Sequence, residues 1–204
     1  MKLKYTLAAF AALTVSANAA IIYSSDFQSD AIGATPADWS GNIRVFSGAG
    51  ATTEGGTNDR AIIALTGTDM SAILDLGQVG VLGDTISVNL DVAQYASSGT
   101  SVVTYSLGTV TGGGVFTAFA EAAVTEATSG ARSWPGTNTE TAGAVYTHVF
   151  NGTDLGDNLA LQVTSVGSFG GVDSVVVDVT PVPEPSSTAL LGLGGLALIL
   201  RRRK

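Results

Sequence analysis

The sequence contains no cysteine and only one histidine, and each shortage excludes a class of function. Without cysteine the chain has no disulfide framework, no thiolate metal site and no cysteine nucleophile. The lone His148 would need carboxylate partners from elsewhere to build a metal or catalytic site. Its alternating surroundings, Tyr146–Phe150, favour a solvent-facing position on a β-strand.

Basic residues are almost absent from the interior of the chain. Six of the nine occupy the first four and last four residues, which leaves Arg44, Arg60 and Arg132 against 17 acidic residues. Such a surface repels phosphate groups, so we expect no nucleic acid partner and no attraction to anionic lipid. With 13% charged residues and 26 glycines, the composition is typical of β-strands joined by tight turns.

The first 19 residues have the three parts of a secretory signal. Lys2 and Lys4 form the positive region, Leu7–Val15 is apolar, and Ala17 and Ala19 are the small residues that signal peptidase requires. The apolar stretch is too short to span a bilayer. We therefore predict export, with cleavage by signal peptidase after Ala19.

The last residues, 181–204, contain a second linear signal. A Pro183-Glu184-Pro185 motif precedes an apolar run, Ala189–Leu200, and a basic end formed by Arg201, Arg202, Arg203 and Lys204. The arrangement resembles the PEP-CTERM sorting signal, which is also labelled the ice-binding protein C-terminal motif. The resemblance implies processing by an exosortase-type membrane protease and release to the cell surface or extracellular matrix.

Physical properties of the segment agree with a transient membrane anchor. The uncharged stretch at 186–200 has 15 residues, fewer than the ~20 of a stable transmembrane helix. The four terminal cations are expected to stay on the cytoplasmic side. The sequence therefore predicts a short C-terminal transmembrane helix that holds the protein until it is cleaved.

Between the two signals, residues 20–180 alternate apolar and polar side chains in short segments separated by glycine-rich turns. The clearest segment is Asp84–Val92, where every second residue from Ile86 is apolar. We predict an all-β domain, an antiparallel two-sheet sandwich of the jelly-roll type. The other predicted strands are Ile21–Phe27, Asn42–Ser47, Ala61–Thr66, Ser71–Leu76, Ser101–Leu107, Val115–Val124, Ala144–Phe150, Leu159–Val166 and Val172–Thr180.

Two short patterns resemble the opening and closing strands of galactose-binding-like jelly rolls. They are Ser25-Asp26-Phe27 and the segment Gly171–Val177. In that fold the first and last strands are neighbours, and the resemblance implies a structural calcium at Asp26 and Asp173. Ser174 stands where the family pattern has asparagine. No other cofactor is implied.

Tryptophan offers the clearest candidate for a ligand contact. Trp134 and Arg132 lie in a Gly/Pro-rich loop, where an exposed indole stacks on a sugar and the guanidinium binds a hydroxyl or carboxylate. The alternative is that Trp134 folds back to cover the edge of the core. Trp39, close after Pro36, is interpreted as a core residue.

The sequence contains one carboxylate pair that invites a catalytic interpretation. Glu121 and Glu126 match the outer positions of a glycanase motif, but Ala123 replaces its central aspartate. We therefore predict no catalytic residue and a non-enzymatic surface protein with a structural or adhesive role, associated with polysaccharide. A secreted carbohydrate-binding or glycan-active jelly roll is the alternative.

The two signals predict processing at both ends. Intact-mass analysis of protein recovered from its native host should show loss of residues 1–19 and of the tail from about Ala189 onward. An extracellular protein that still ends at Lys204 would contradict the sorting signal and indicate a simple membrane anchor.

Overall fold

The structure is a computed structural model that describes residues 18–47, 60–64, 69–78, 80–94, 100–121, 123–129, 141–142, 145–167 and 170–182. The predicted signal-peptide core, the loop with Arg132 and Trp134, and the sorting segment from Pro183 onward lie outside these ranges. Within them, no helix is long and apolar enough to cross a membrane.

Thirteen strands lie in the described part of the chain. They are β1 (Ala20–Ser25), β2 (Trp39–Gly41), β3 (Ile43–Ser47), β4 (Arg60–Ala64), β5 (Met70–Asp75), β6 (Thr85–Gln94), β7 (Thr100–Val110), β8 (Phe116–Ala118), β9 (Val124–Ser129), β10 (Thr141–Ala142), β11 (Tyr146–Val149), β12 (Asn158–Gly167) and β13 (Gly170–Thr180). All ten predicted segments contain a strand, whereas the short β2 and β10 were not predicted.

The strands form two antiparallel sheets. In sheet A, β10 and β11 pair with β6, β6 pairs with β13, and β13 pairs on its other side with β1 and with β4, which continues to β3. In sheet B the order is β2, β5, β12 and β7, and β7 then pairs with both β8 and β9. The predicted all-β antiparallel sandwich is confirmed.

Period-two alternation places one face of each sheet in the core. The predicted inward set of β6, Ile86 to Val92, is buried, and it faces alternate residues of β12 and β7 in sheet B. The other buried members at the centre are Val103, Tyr105, Leu107, Leu159, Leu161, Val163, Val172, Val175 and Val177. The fold is therefore held by one apolar layer between two sheets.

Aromatic residues close one edge of the sandwich. Trp39 of β2 is buried, as predicted, and its Nε1–H donates a hydrogen bond of 3.0 Å to the Tyr23 hydroxyl on β1. Phe27 packs edge-on against the same indole, with 6.2 Å between ring centroids. Burial raises the pKa of Tyr23, although the hydrogen bond from Trp39 opposes the shift. This contact joins the two sheets through a satisfied polar pair.

The predicted single strand Val115–Val124 is wrong. The segment contains β8 and only the first residue, Val124, of β9, so most of β9 was not predicted, and the two strands pair with different parts of β7. Between them the backbone N–H of Phe119 donates to the Leu107 carbonyl, and the chain turns away from the sheet. The sequence pattern did not reveal this break, because apolar residues occur on both sides of it.

The centre of sheet B offers a test of the core. Leu161 is fully buried, so Leu161→Ala should lower the free energy of unfolding by about 2–5 kcal/mol. Val166 lies on the same strand but is 64% exposed, and Val166→Ala should change stability by no more than about 0.5 kcal/mol. Urea denaturation of both variants measures the difference, and equal effects would contradict the inward assignment of Leu161.

Candidate functional site

The outer face of sheet B carries short, uncharged polar side chains in consecutive rows. Cross-strand register brings Ser71, Thr164, Thr104 and Thr125 into one row. The next row contains Ser40, Gln162 and Ser106, of which Ser106 is buried, together with the apolar Ile73. Among the described outward positions of this sheet, Asp75 is the single charged residue.

Hydrogen bonds between neighbouring strands orient several of these groups. The hydroxyls of Thr104 and Thr125 lie 3.1 Å apart, and Thr164 Oγ1 donates to the Thr104 carbonyl at 3.4 Å. At the other end of the face, Asn158 Nδ2 donates to Asp75 Oδ2 at 3.3 Å. The result is a fixed set of neutral donors and acceptors of the kind that recognises hydroxyl groups.

An aromatic ring lies across this polar face. Phe116 of β8 pairs with Val110 of β7, and its ring tip reaches back over Gly108. A Cβ at Gly108 would lie 2.7 Å from Phe116 Cζ and 2.1 Å from the Thr117 carbonyl oxygen, so no larger residue fits. Because Phe116 is only half-buried, part of its ring is open to a ligand. Phe116 was not predicted as a binding residue, because a phenylalanine in a strand is normally a core residue.

The outer face of sheet A has a different chemistry. Ser87 Oγ donates to Asp178 Oδ2 and Ser174 Oγ donates to Asp91 Oδ2, each at 2.7 Å. Carboxylates on neighbouring β6 and β13 are thus paired with hydroxyls across the sheet. This face carries these paired carboxylates together with Arg44, whose Cζ lies 5.7 Å from the centroid of the Phe46 ring, whereas the described outer face of sheet B carries mostly neutral groups beside Phe116.

The predicted solvent-facing position of His148 is wrong. Its side chain is 2% exposed, because Tyr146, His148 and Phe150 form the inward set of β11 and Val149 faces solvent. The alternation was read correctly but assigned to the opposite face. In this edge strand the histidine shares one face with two aromatic residues, and period-two alternation alone does not show whether that face is turned to the core or to solvent.

His148 is held between two carboxylates. Its Nδ1 lies 2.6 Å from Glu121 Oε2, and its Nε2 lies 2.9 Å from Asp154 Oδ2. The imidazole stacks on Phe119, with 3.9 Å between centroids and 13° between planes. Each ring nitrogen therefore lies within hydrogen-bond distance of a carboxylate oxygen. This His148 clamp joins β11 of sheet A to the β8–β9 segment of sheet B.

Asp154 is stabilised as an anion. Burial acts to raise the pKa of Asp154, but hydrogen bonds from the backbone N–H of Asn151, from His148 and from Thr153 outweigh it and hold the pKa below its usual value. The carboxylate is therefore an accepting partner of the clamp rather than a proton donor.

Tyr146 completes the surroundings of the clamp. Its hydroxyl donates to the Glu121 backbone carbonyl at 3.5 Å. Burial, and then the negative charge of Glu121, raise the pKa of Tyr146 to about 12. The phenol therefore stays protonated and serves as a structural donor.

The carboxylate pair Glu121 and Glu126 is described only in part. Glu121 lies between β8 and β9 with its side chain engaged by His148, and the side chain of Glu126 lies outside the described part. The predicted platform residues Trp134 and Arg132 also lie outside it, between β9 and β10. The ligand platform at Trp134 and Arg132 remains a prediction, and so does the absence of catalysis at Glu121 and Glu126.

The predicted calcium residues lie near the paired first and last strands. β1 and β13 are neighbours, and Ser25 is in register with Val175. Asp26 is exposed and accepts a hydrogen bond from the Gln28 backbone, whereas Asp173 is buried. No three histidine, aspartate or glutamate residues of the described ranges form a group suited to a metal. Calcium at Asp26 and Asp173 stays a prediction.

Comparison with known proteins agrees with the predicted C-terminal signal and with the fold. Residues 181–204 match the family model of the PEP-CTERM protein-sorting motif. No curated protein is significantly similar to the chain in sequence. The chain thus carries a PEP-CTERM sorting motif, and this motif indicates export and sorting to the cell surface or beyond.

Solved structures similar to the chain are carbohydrate-binding modules. The CBM22-1–CBM22-2 tandem domain of Paenibacillus barcinonensis Xyn10C aligns with a TM-score of 0.54 and 14% identity, over 85% of this chain and 49% of that one. The CBM22-1 xylan-binding domain of the same protein aligns with a TM-score of 0.52 and 15% identity, over 82% and 97%.

A third similar structure contains the CBM22-1 and GH10 modules of Clostridium thermocellum xylanase Xyn10B, complexed with xylohexaose. It has a TM-score of 0.51 and 13% identity, over 78% of this chain and 28% of that one. At these identities the likeness shows the fold alone. It confirms a jelly roll, consistent with the galactose-binding-like resemblance of the sequence.

The His148 clamp makes stability depend on pH. Because the folded-state pKa of Asp154 is depressed, its ionised form stabilises the fold fully above the ordinary carboxyl pKa of about 4, and this contribution is lost as pH falls through the folded-state value. Asp154→Asn should lower the free energy of unfolding at pH 7 by about 1.5–3 kcal/mol.

The difference between Asp154→Asn and the unmodified protein should then shrink as the pH falls below about 4. Denaturation curves recorded from pH 3 to 7 measure it. Asp157→Asn, an exposed aspartate on the same loop, is the matched control and should leave stability nearly unchanged. An equal effect of the two substitutions at every pH would refute the assigned role of Asp154.

Proposed function

We propose that this protein is a non-enzymatic, polysaccharide-binding protein of the cell surface or extracellular matrix, and that its ligand lies on the outer face of sheet B. The observation that carries the proposal is the half-exposed Phe116 ring seated over Gly108, next to the row of the face that contains the neutral Gln162 and Ser106. Sugars combine apolar C–H faces with hydroxyl rims, so a ring beside short polar side chains complements both.

The charge of this face narrows the ligand class. With Asp75 as its one described charge and no described cation, the face offers nothing to pair with a sulfate or uronate group. The overall excess of acidic residues repels polyanions as well. The ligand is therefore a neutral, hydroxyl-rich polysaccharide, and binding it gives the exported protein an adhesive or structural role.

The positions of the carboxylate side chains support binding of the polysaccharide without cleavage. Glycoside hydrolysis requires two carboxyl groups that flank the bond to be broken. Among the described residues of the proposed face, Asp75 has no such partner, and Glu121 is committed to His148. This arrangement favours a binding protein over the glycan-active alternative.

Substitution of the aromatic ring tests the proposed site. Phe116→Ala should weaken binding to a neutral polysaccharide at least about tenfold, equivalent to about 1.4 kcal/mol, because the stacking surface is removed. Phe46→Ala is the matched control, since Phe46 is a half-buried phenylalanine on the outer face of sheet A. Affinity gel electrophoresis against neutral and acidic polysaccharides measures both variants.

Circular dichroism of each variant shows whether the sandwich is intact. Equal loss of affinity in Phe116→Ala and Phe46→Ala would place the ligand elsewhere. Binding to acidic polysaccharides alone would contradict the assigned ligand class. Release of reducing sugar by the unmodified protein would show that it is an enzyme.

A further inference from the structure

One end of the sandwich carries both chain ends of the domain. Ala20 at the start of β1 pairs with Val179 near the end of β13. After β13 the backbone N–H of Val182 donates to Asp84 Oδ1 at 3.0 Å, beside Gly83 of the β5–β6 loop. The β7–β8 and β11–β12 loops lie at this same end, because Asn158 is in register with Val110. We call it the tail end.

Exposed apolar side chains concentrate at the tail end. Five of the ten exposed large hydrophobic residues in the described part lie in its loops, namely Val81, Leu82, Val115, Leu155 and Val182. Val81 begins a turn that is closed by a hydrogen bond from the Asp84 N–H to the Val81 carbonyl, and Leu82 lies at the tip of this turn. Leu82 is 63% exposed at this tip. Apolar loops at one end of a soluble domain are typical of a contact surface.

The short connection to the sorting tail limits how far the tail end can lie from the bilayer. Only six residues, 183–188, separate Val182 from the apolar run that begins at Ala189, so the two are at most about 25 Å apart even when fully extended. The 11-residue strand β13 is about 36 Å long by comparison. A tail inserted in a bilayer therefore keeps the tail end next to the lipid surface and the opposite end away from it.

The charges at the tail end select the kind of surface. The described loops there contain no lysine or arginine, and Asp84 and Asp157 are their acidic residues besides the clamped Asp154. Such a surface gains nothing from anionic headgroups and is repelled by them. Its apolar tips suit a zwitterionic bilayer, where contact depends on buried apolar area.

We propose that the tail end is a membrane-contact surface: while the uncleaved tail anchors the protein, the Val81–Leu82 turn lies in the interfacial layer of the bilayer. This inference depends on the proposed insertion of the sorting tail. Because the tail tethers the domain to the membrane, the effective concentration of lipid near these few apolar side chains is high. This lets them contact the bilayer although they would not bind it on their own. The domain then stands upright, with the outer face of sheet B at right angles to the lipid surface and Phe116, which pairs with Val110, at the end of that face nearest the membrane.

The absence of cysteine allows a clean test with the exported full chain, purified with its tail from a host that lacks the sorting protease. Leu82→Cys is labelled with an environment-sensitive fluorophore and reconstituted in zwitterionic vesicles containing lipids brominated near the headgroup. Val166→Cys is the matched control, because Val166 is 64% exposed and lies at the opposite end of β12 from Asn158.

We expect the Leu82 label to shift to the blue and to be quenched by brominated lipid several times more strongly than the Val166 label. Anionic lipid in the vesicles should reduce that difference. Equal quenching of the two labels in protein that floats with the vesicles would overturn the contact surface while leaving the anchor intact. Protein that does not float would refute the anchor and this inference together.

A blue shift without quenching by brominated lipid would mean that protein covers the turn, either a second copy or a membrane protein, and would also overturn the proposal. Circular dichroism of both labelled variants checks that the sandwich is unchanged, which is expected because both positions are exposed.

Discussion

Burial of the inward faces of β6, β13, β12 and β7 against one another is the interaction on which the rest of this structure depends. The four strands lie at the middle of their sheets, and their alternate residues form the apolar layer. Each buried aliphatic side chain contributes about 1.5–3 kcal/mol relative to exposure. With no disulfide in the chain, this layer supplies most of the stability that an exported domain requires.

The edges of the sandwich are closed by polar contacts between the sheets. At one edge the Trp39 indole donates to Tyr23, and at the other His148 is clamped between Glu121 and Asp154. A buried polar group is tolerated when it is hydrogen-bonded, and here both ring nitrogens have partners. These contacts fix how the two sheets lie on each other, which in turn determines the shape of both outer faces.

The two outer faces differ because alternation leaves each strand's polar residues on the side away from the core. On sheet A these residues include aspartates paired with serines, whereas on sheet B they are hydroxyls and amides around Phe116. The proposed polysaccharide face is thus at right angles to the proposed membrane-contact loops. An anchored protein presents the first to the surroundings while the second faces the bilayer.

The sequence by itself determined the C-terminal sorting motif, the all-β class and the inward set of β6, and it predicts the N-terminal secretory signal. Sorting enzymes read a linear motif, and a strand's period of two is a local property, so neither needs knowledge of distant residues. Only the tertiary structure decided the orientation of β11, which buried His148, and the break that separates β8 from β9. Glu121 and Asp154 meet His148 from two different loops, and Phe116 becomes a platform because Gly108 is its neighbour across the sheet. Those contacts join residues far apart in the chain or on adjacent strands, and cross-strand register, which the local pattern does not specify, brings them together.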